Sequence, residues 1–167
     1  MIISSAIEKM VNFYESNLYD IAHFIKVWAF AKTIGEQEQL DVHTMQILEL
    51  AAVVHDISCP LCRKKYGNTN GKNQEIESPP LVKMFLSDLP VSAQETERIS
   101  WLVSHHHTYK NVDGLDYQIL LEADFLVNAE ESGYKYSAIA SAKKYIFKTT
   151  TGIRLLETIY LRGENSL

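Results

Sequence analysis

Residues 18–34, LYDIAHFIKVWAFAKTI, constrain this chain more than any other stretch. At helical pitch, apolar side chains occupy nearly every face: Leu18, Ile21, Ile25, Trp28 and Ala29 on one side, Val27, Phe30 and Ile34 on another. A helix that is apolar all round must be enclosed by other elements. The rest of the chain offers helices for that purpose. Ile3, Ile7, Met10/Val11 and Tyr14 recur at i, i+3/i+4 steps within residues 1–16. Asp41 suits the N-cap of a helix on which Met45, Leu48, Ala52 and His55 fall in register. Further helices are predicted at about 75–87, 92–106, 116–131, 137–147 and 150–162, with Asp116 capping the one that carries Asp124. Gly35 fits the C′ position of the buried helix, and residues 59–72 read as irregular. The run 50–57, LAAVVHDI, has the composition of a buried strand, but its upstream cap and the lack of any partner strand favour a helix. The expected fold is all-α: a single-domain helical bundle over residues 1–167, with a core motif region at about 18–130 and C-terminal helices 131–167 packed on it.

Three of these helices place ionisable groups where apolar side chains belong. His23 sits within the apolar helix, His55 and Asp56 end an unbroken apolar run, and Asp124 lies between Leu120-Leu121 and Val127. A buried carboxylate in such company costs several kcal/mol unless it is paired or bound to a cation. Two imidazoles and two carboxylates from three helices form a mixed N/O set, suited to one divalent ion: manganese, iron, cobalt, nickel or zinc, with magnesium also accessible. A lone buried histidine is more often a satisfied core residue, and a bare His-Asp dipeptide is common; the argument rests on the four together.

The pattern His23…His55-Asp56…Asp124 resembles the HD superfamily of metal-dependent phosphohydrolases. The surrounding text is similar too: AHFIKVWAFAKTIG around His23, LELAAVVHDIS around the dyad, LLEADFLVNA around Asp124, and KKYGNTNGKNQEIESPP as the linker of small bacterial members. The resemblance implies a helical bundle with a central metal site at which an ion-activated water attacks the phosphorus of a phosphate ester, often a nucleotide. It makes His23, His55, Asp56 and Asp124 the metal ligands. One departure stands out. Members commonly carry an Arg three residues after the first His, where this chain has Lys26, a point charge without a bidentate fork.

Other residues are candidates by type. One of His105, His106 and His107 is expected to reach the pocket as substrate contact, general acid or ligand to a second metal; a solvated histidine cluster at a helix end is the bland alternative. No histidine lies between His55 and His105, which favours a mononuclear site. His106 and Glu75, with Asp56, are the candidate catalytic residues, and Lys26, His105, His107, Tyr109 and Lys110 the candidate substrate contacts. Lys148 and Arg154 qualify as phosphate contacts by type alone. The pair Cys59/Cys62 has C-x-x-C spacing but no second pair and no redox-fold context, so it reads as two thiols beside a loop.

A net charge of -5 disfavours stable nucleic-acid binding. No apolar run was expected to approach the roughly 18–20 residues that cross a bilayer, so no membrane partner and a soluble, cytoplasmic protein are expected. The partner is then a small phosphorylated substrate, and Ile139, Ile146, Ile153, Leu156 and Ile159 either cover the core or form a homodimer face. Two rival functions stay open: a di-iron oxygenase on the same fold, requiring two metals, and a non-catalytic ligand-sensing module that keeps its metal for structure.

Overall fold

The structure is a computed structural model that describes residues 2–162. Nine α-helices run α1 Ile2–Tyr14, α2 Leu18–Gln37, α3 Val42–Val54, α4 Cys59–Tyr66, α5 Gly71–Leu86, α6 Ala93–His105, α7 Leu115–Glu131, α8 Tyr136–Tyr145 and α9 Thr150–Leu156, followed by a π-helical turn at Glu157–Leu161; no strand occurs among the described residues. Local chemistry sets several of these boundaries. Asp41 accepts from the N–H groups of His43 and Thr44 at 3.0 Å each, opening α3. Ser92 and Glu95 form a reciprocal capping box on α6.

α3 is the central rod, packed against α1, α2, α6 and α7. Every residue from Ile47 to His55 on it is buried, as is every residue of α7 from Asp116 to Val127. Residues 18–34 are less enclosed than expected: α2 keeps Leu18 and Tyr19 exposed, with Ala22, Ala29 and Thr33 along the same open side. Small side chains make that face inexpensive to leave in water. Val42–Tyr66 is long and apolar enough to cross a membrane, contrary to the expectation from the sequence, but 78% of its most apolar window is buried inside the bundle.

Four other boundaries differ from expectation. Gly35 lies inside α2, not beyond it, where α2 packs closely on Met45 and Leu48 of α3: a Cβ there would meet Met45 Sδ at 2.7 Å. The stretch 59–72 is not irregular: Pro60 sits in the first turn of α4, and Gly67, in a left-handed conformation at φ 71°, ends it. α5 starts at Gly71 under an Asn70 cap, which leaves Pro79 and Pro80 in mid-helix. Asp116 is inside α7 and grips Arg98 at 2.7 and 2.9 Å; the cap position belongs to Gly114.

One buried carboxylate ties the C-terminal helices down. Glu122 of α7 is fully buried and accepts from Gln118 Nε2 (2.7 Å), the N–H groups of Lys148 (2.6 Å) and Thr149 (3.0 Å), and Thr149 Oγ1 (2.5 Å). The donors precede α9, so a residue of α7 holds the loop that starts it. Ile139 and Leu156 are buried and Ile146 and Ile153 half-buried against the core, while Ile159 is exposed.

Candidate metal centre

Imidazole and carboxylate donors converge where α2, the end of α3 and α7 meet. His23 Nε2 lies 3.1 Å from His55 Nε2, and 3.4 Å from both Asp56 Oδ2 and Asp124 Oδ1. His55 Nε2 lies 3.6 Å from Asp56 Oδ2 and 3.5 Å from Asp124 Oδ1. Ligands about 2.0–2.2 Å from a common ion stand roughly 3.0 Å apart at octahedral edges and 3.4 Å apart at tetrahedral ones, so these separations fit one cation.

The histidine tautomers make the stronger case. His55 Nδ1 faces the Ala52 carbonyl at 2.8 Å, and a carbonyl only accepts, so Nδ1 carries the proton. His23 Nδ1 donates to Glu131 Oε2 at 2.7 Å. Both Nε2 atoms therefore present lone pairs to one another at 3.1 Å, an arrangement that needs a proton or a cation between them. Outer partners that fix imidazoles in this way are the usual support of a metal site. Asn128 Nδ2 does the same for Asp124, donating to Oδ1 at 2.9 Å, and Tyr14 donates to the Asp56 carbonyl at 2.9 Å.

Electrostatics follow from this crowding. Burial opposes charge on His23, but Asp124, Asp56 and Glu131 outweigh it and lift its pKa to about 9. Burial also opposes ionisation of Asp56, yet the imidazoles of His55, His106 and His23 hold its carboxyl well below the usual range. Asp124 shifts the same way: burial is overcome by His23 and His55.

The three consecutive histidines separate. His106 is buried, gives its Nδ1 proton to the Val103 carbonyl at 2.6 Å, and leaves Nε2 without a hydrogen bond, 3.4 Å from Asp56 Oδ1. His107 lines the same cleft and faces Gln74 Nε2 at 3.1 Å; the neighbouring His106 and desolvation push its pKa down to about 4. Asp56, His106 and His107 form a second donor group that shares Asp56 with the first. His105 does not join it: its ring stacks on Trp101 at 4.4 Å and its Nδ1 faces the Trp101 carbonyl.

Several candidates lie elsewhere. Lys26 is bound by Glu131 at 2.6 Å and Glu130 at 3.1 Å and lines a different, apolar cleft of about 540 Å³. Glu75 is exposed, 4.0 Å from His105 Nε2 and outside the donor groups. Tyr109 lines a separate cleft with Lys148, and Lys110 is exposed. Arg154 binds Gln37. Cys59 and Cys62 are buried free thiols, and Cys59 lines the metal cleft. Sequence reasoning missed Glu131, Asn128 and Arg63. The first two had a signal: Asp124, Asn128 and Glu131 form a polar stripe at i, i+4, i+7 on one face of the helix.

Fold and site together define an all-α bundle with a candidate metal centre at its heart. The model of the HD domain family matches residues 20–143, and the chain belongs to that family. No curated protein matches. Among solved structures, the chain is similar to a predicted HD superfamily hydrolase from an uncultured Thermotogales bacterium: TM-score 0.61, 22% identity, covering 95% of this chain and 83% of that one. At that identity the likeness speaks for the fold.

Proposed function

We propose that this protein is a metal-dependent phosphohydrolase that cleaves a phosphate ester of a nucleotide or another small phosphorylated molecule. The observation that carries the reading is the convergence of the His23 and His55 Nε2 atoms, 3.1 Å apart, with the ionised Asp56 and Asp124 carboxylates within 3.4–3.6 Å of them. His23, His55, Asp56 and Asp124 would hold a divalent ion. When bound, such an ion neutralises charge developing on a phosphoryl group and acidifies water. Glu131 and the Ala52 carbonyl hold the two imidazoles in the tautomer that leaves Nε2 basic. Asn128 orients Asp124. His106 Nε2, 3.4 Å from Asp56 Oδ1, would take or give a proton beside that carboxylate. The structural neighbour's description as a hydrolase agrees with this reading.

The second donor group favours a two-metal variant, in which Asp56 would be shared between an ion held with His23 and His55 and a second held with His106 and His107. Metal content per chain separates the two versions.

The test is phosphate release from a panel of nucleotides and phosphomonoesters with manganese or cobalt, using Asp56→Ala as control. Turnover that vanishes in the variant supports the reading. No turnover by folded, metal-loaded protein removes it in favour of a di-iron oxygenase or a ligand-sensing module.

A further inference from the structure

Resting on the phosphohydrolase reading, we propose that Arg63 grips the substrate phosphate, and that the cleft takes a phosphomonoester dianion by its phosphate end. Arg63 is the single Lys or Arg lining the metal cleft among the described residues. Lys26 is committed elsewhere to Glu130 and Glu131. α4 begins three residues after Asp56, and Arg63 lines the same cleft as Asp56 and Asp124.

The guanidinium is held in place. Asp20, buried and itself bonded to Asn17 Nδ2 at 2.8 Å, binds both terminal nitrogens of Arg63. That end-on pairing uses two of the five N–H groups of an arginine and leaves the Nε side for another anion. The cleft holds about 220 Å³, below the roughly 300–1,000 Å³ of pockets that swallow a whole ligand. It therefore encloses a phosphate and leaves the organic part at the mouth. There Tyr19, 61% exposed and stacked at 6.5 Å on His23, offers a flat apolar surface. Asp20, Asp56 and Asp124 also line the cleft, so an anion enters only once a cation has offset them.

The experiment measures orthophosphate binding to manganese-loaded protein by calorimetry, alongside steady-state kinetics on a phosphomonoester and a singly charged phosphodiester. Arg63→Ala is expected to weaken orthophosphate about tenfold or more and to raise KM for the monoester more than for the diester, with Arg63→Lys recovering only part. Asp20→Asn, which removes the ion pair but keeps the guanidinium, is expected to preserve or tighten phosphate binding, and Lys64→Ala to leave it unchanged. If Arg63 only ties α4 to α2, Asp20→Asn and Arg63→Ala lose stability and activity alike, and the proposal falls. It falls equally if wild type binds no orthophosphate or if Arg63→Ala binds it normally. Equal losses on monoester and diester overturn the assignment of substrate class. Phosphate binding that depends on Arg63 without hydrolysis of any ester would sink the reaction and leave the grip standing.

Discussion

Asp56 is the residue on which the centre turns, because its two oxygens face different partners: Oδ2 toward His23 and His55, Oδ1 toward His106. An amide cannot serve both sides, since its nitrogen has no lone pair to give. Asp56→Asn is therefore expected to bring bound manganese to background, whereas His106→Ala keeps the first ion and removes any second; elemental analysis of dialysed protein reads both. Protons compete for the same place. With its pKa at about 9, His23 is charged at neutral pH until a cation displaces its proton. Apparent manganese affinity should accordingly rise as pH goes from about 6 to 9, with proton release in weakly buffered titrations; an affinity flat over that range would refute the protonated cluster. The four principal donors were legible in the sequence because each interrupts an apolar helix. Arg63 was not, because an arginine in a basic run of an exposed helix looks like any solvated residue until the fold brings Asp20 beside it.

At the scale of elements, α7 does two jobs with residues two apart in the chain. Asp124 enters the metal cleft, while Glu122 holds the loop before α9. Both are buried in a helix that packs against α2, α3 and α9. Glu122→Gln keeps the shape and loses a charge-assisted set of bonds, an expected cost of about 2–3 kcal/mol in urea unfolding, with Asp124 and the metal centre unmoved. Gly152→Ala should be at least as damaging, since its Cβ would fall 1.9 Å from Glu122 Oε2. The helices themselves were readable from period and caps. α4 was not: its short, basic sequence carries no apolar stripe, and its helicity comes from Pro60 at the start, Gly67 at the end and burial of Cys59 and Cys62. The mid-helix prolines of α5 misled in the same way, a local rule overridden by the packing of α5 on α6.

For the whole molecule, an ion held at the centre would cross-link α2, α3 and α7, helices that already share the core. Any ion that binds only the folded chain stabilises it, by about 2.7 kcal/mol at a hundredfold excess over its dissociation constant. Manganese should therefore raise Tm by several degrees, on the order of 2–4 °C per kcal/mol at this size, and a chelator should reverse the gain. An unchanged Tm with saturating manganese would mean that the ion does not bind to this cluster.

The donors are also spread along time. A chain growing from its amino end exposes His23, then His55 and Asp56, then His106, long before Asp124 is made. Until α7 docks, the set lacks the Asp124 carboxylate and the bundle wall that closes it, so a captured cation is held by an open, incomplete shell. The finished bundle, not the nascent chain, would then choose the ion, so a metal bound here should mirror the compartment in which the chain matures and should be exchangeable by refolding under a different supply.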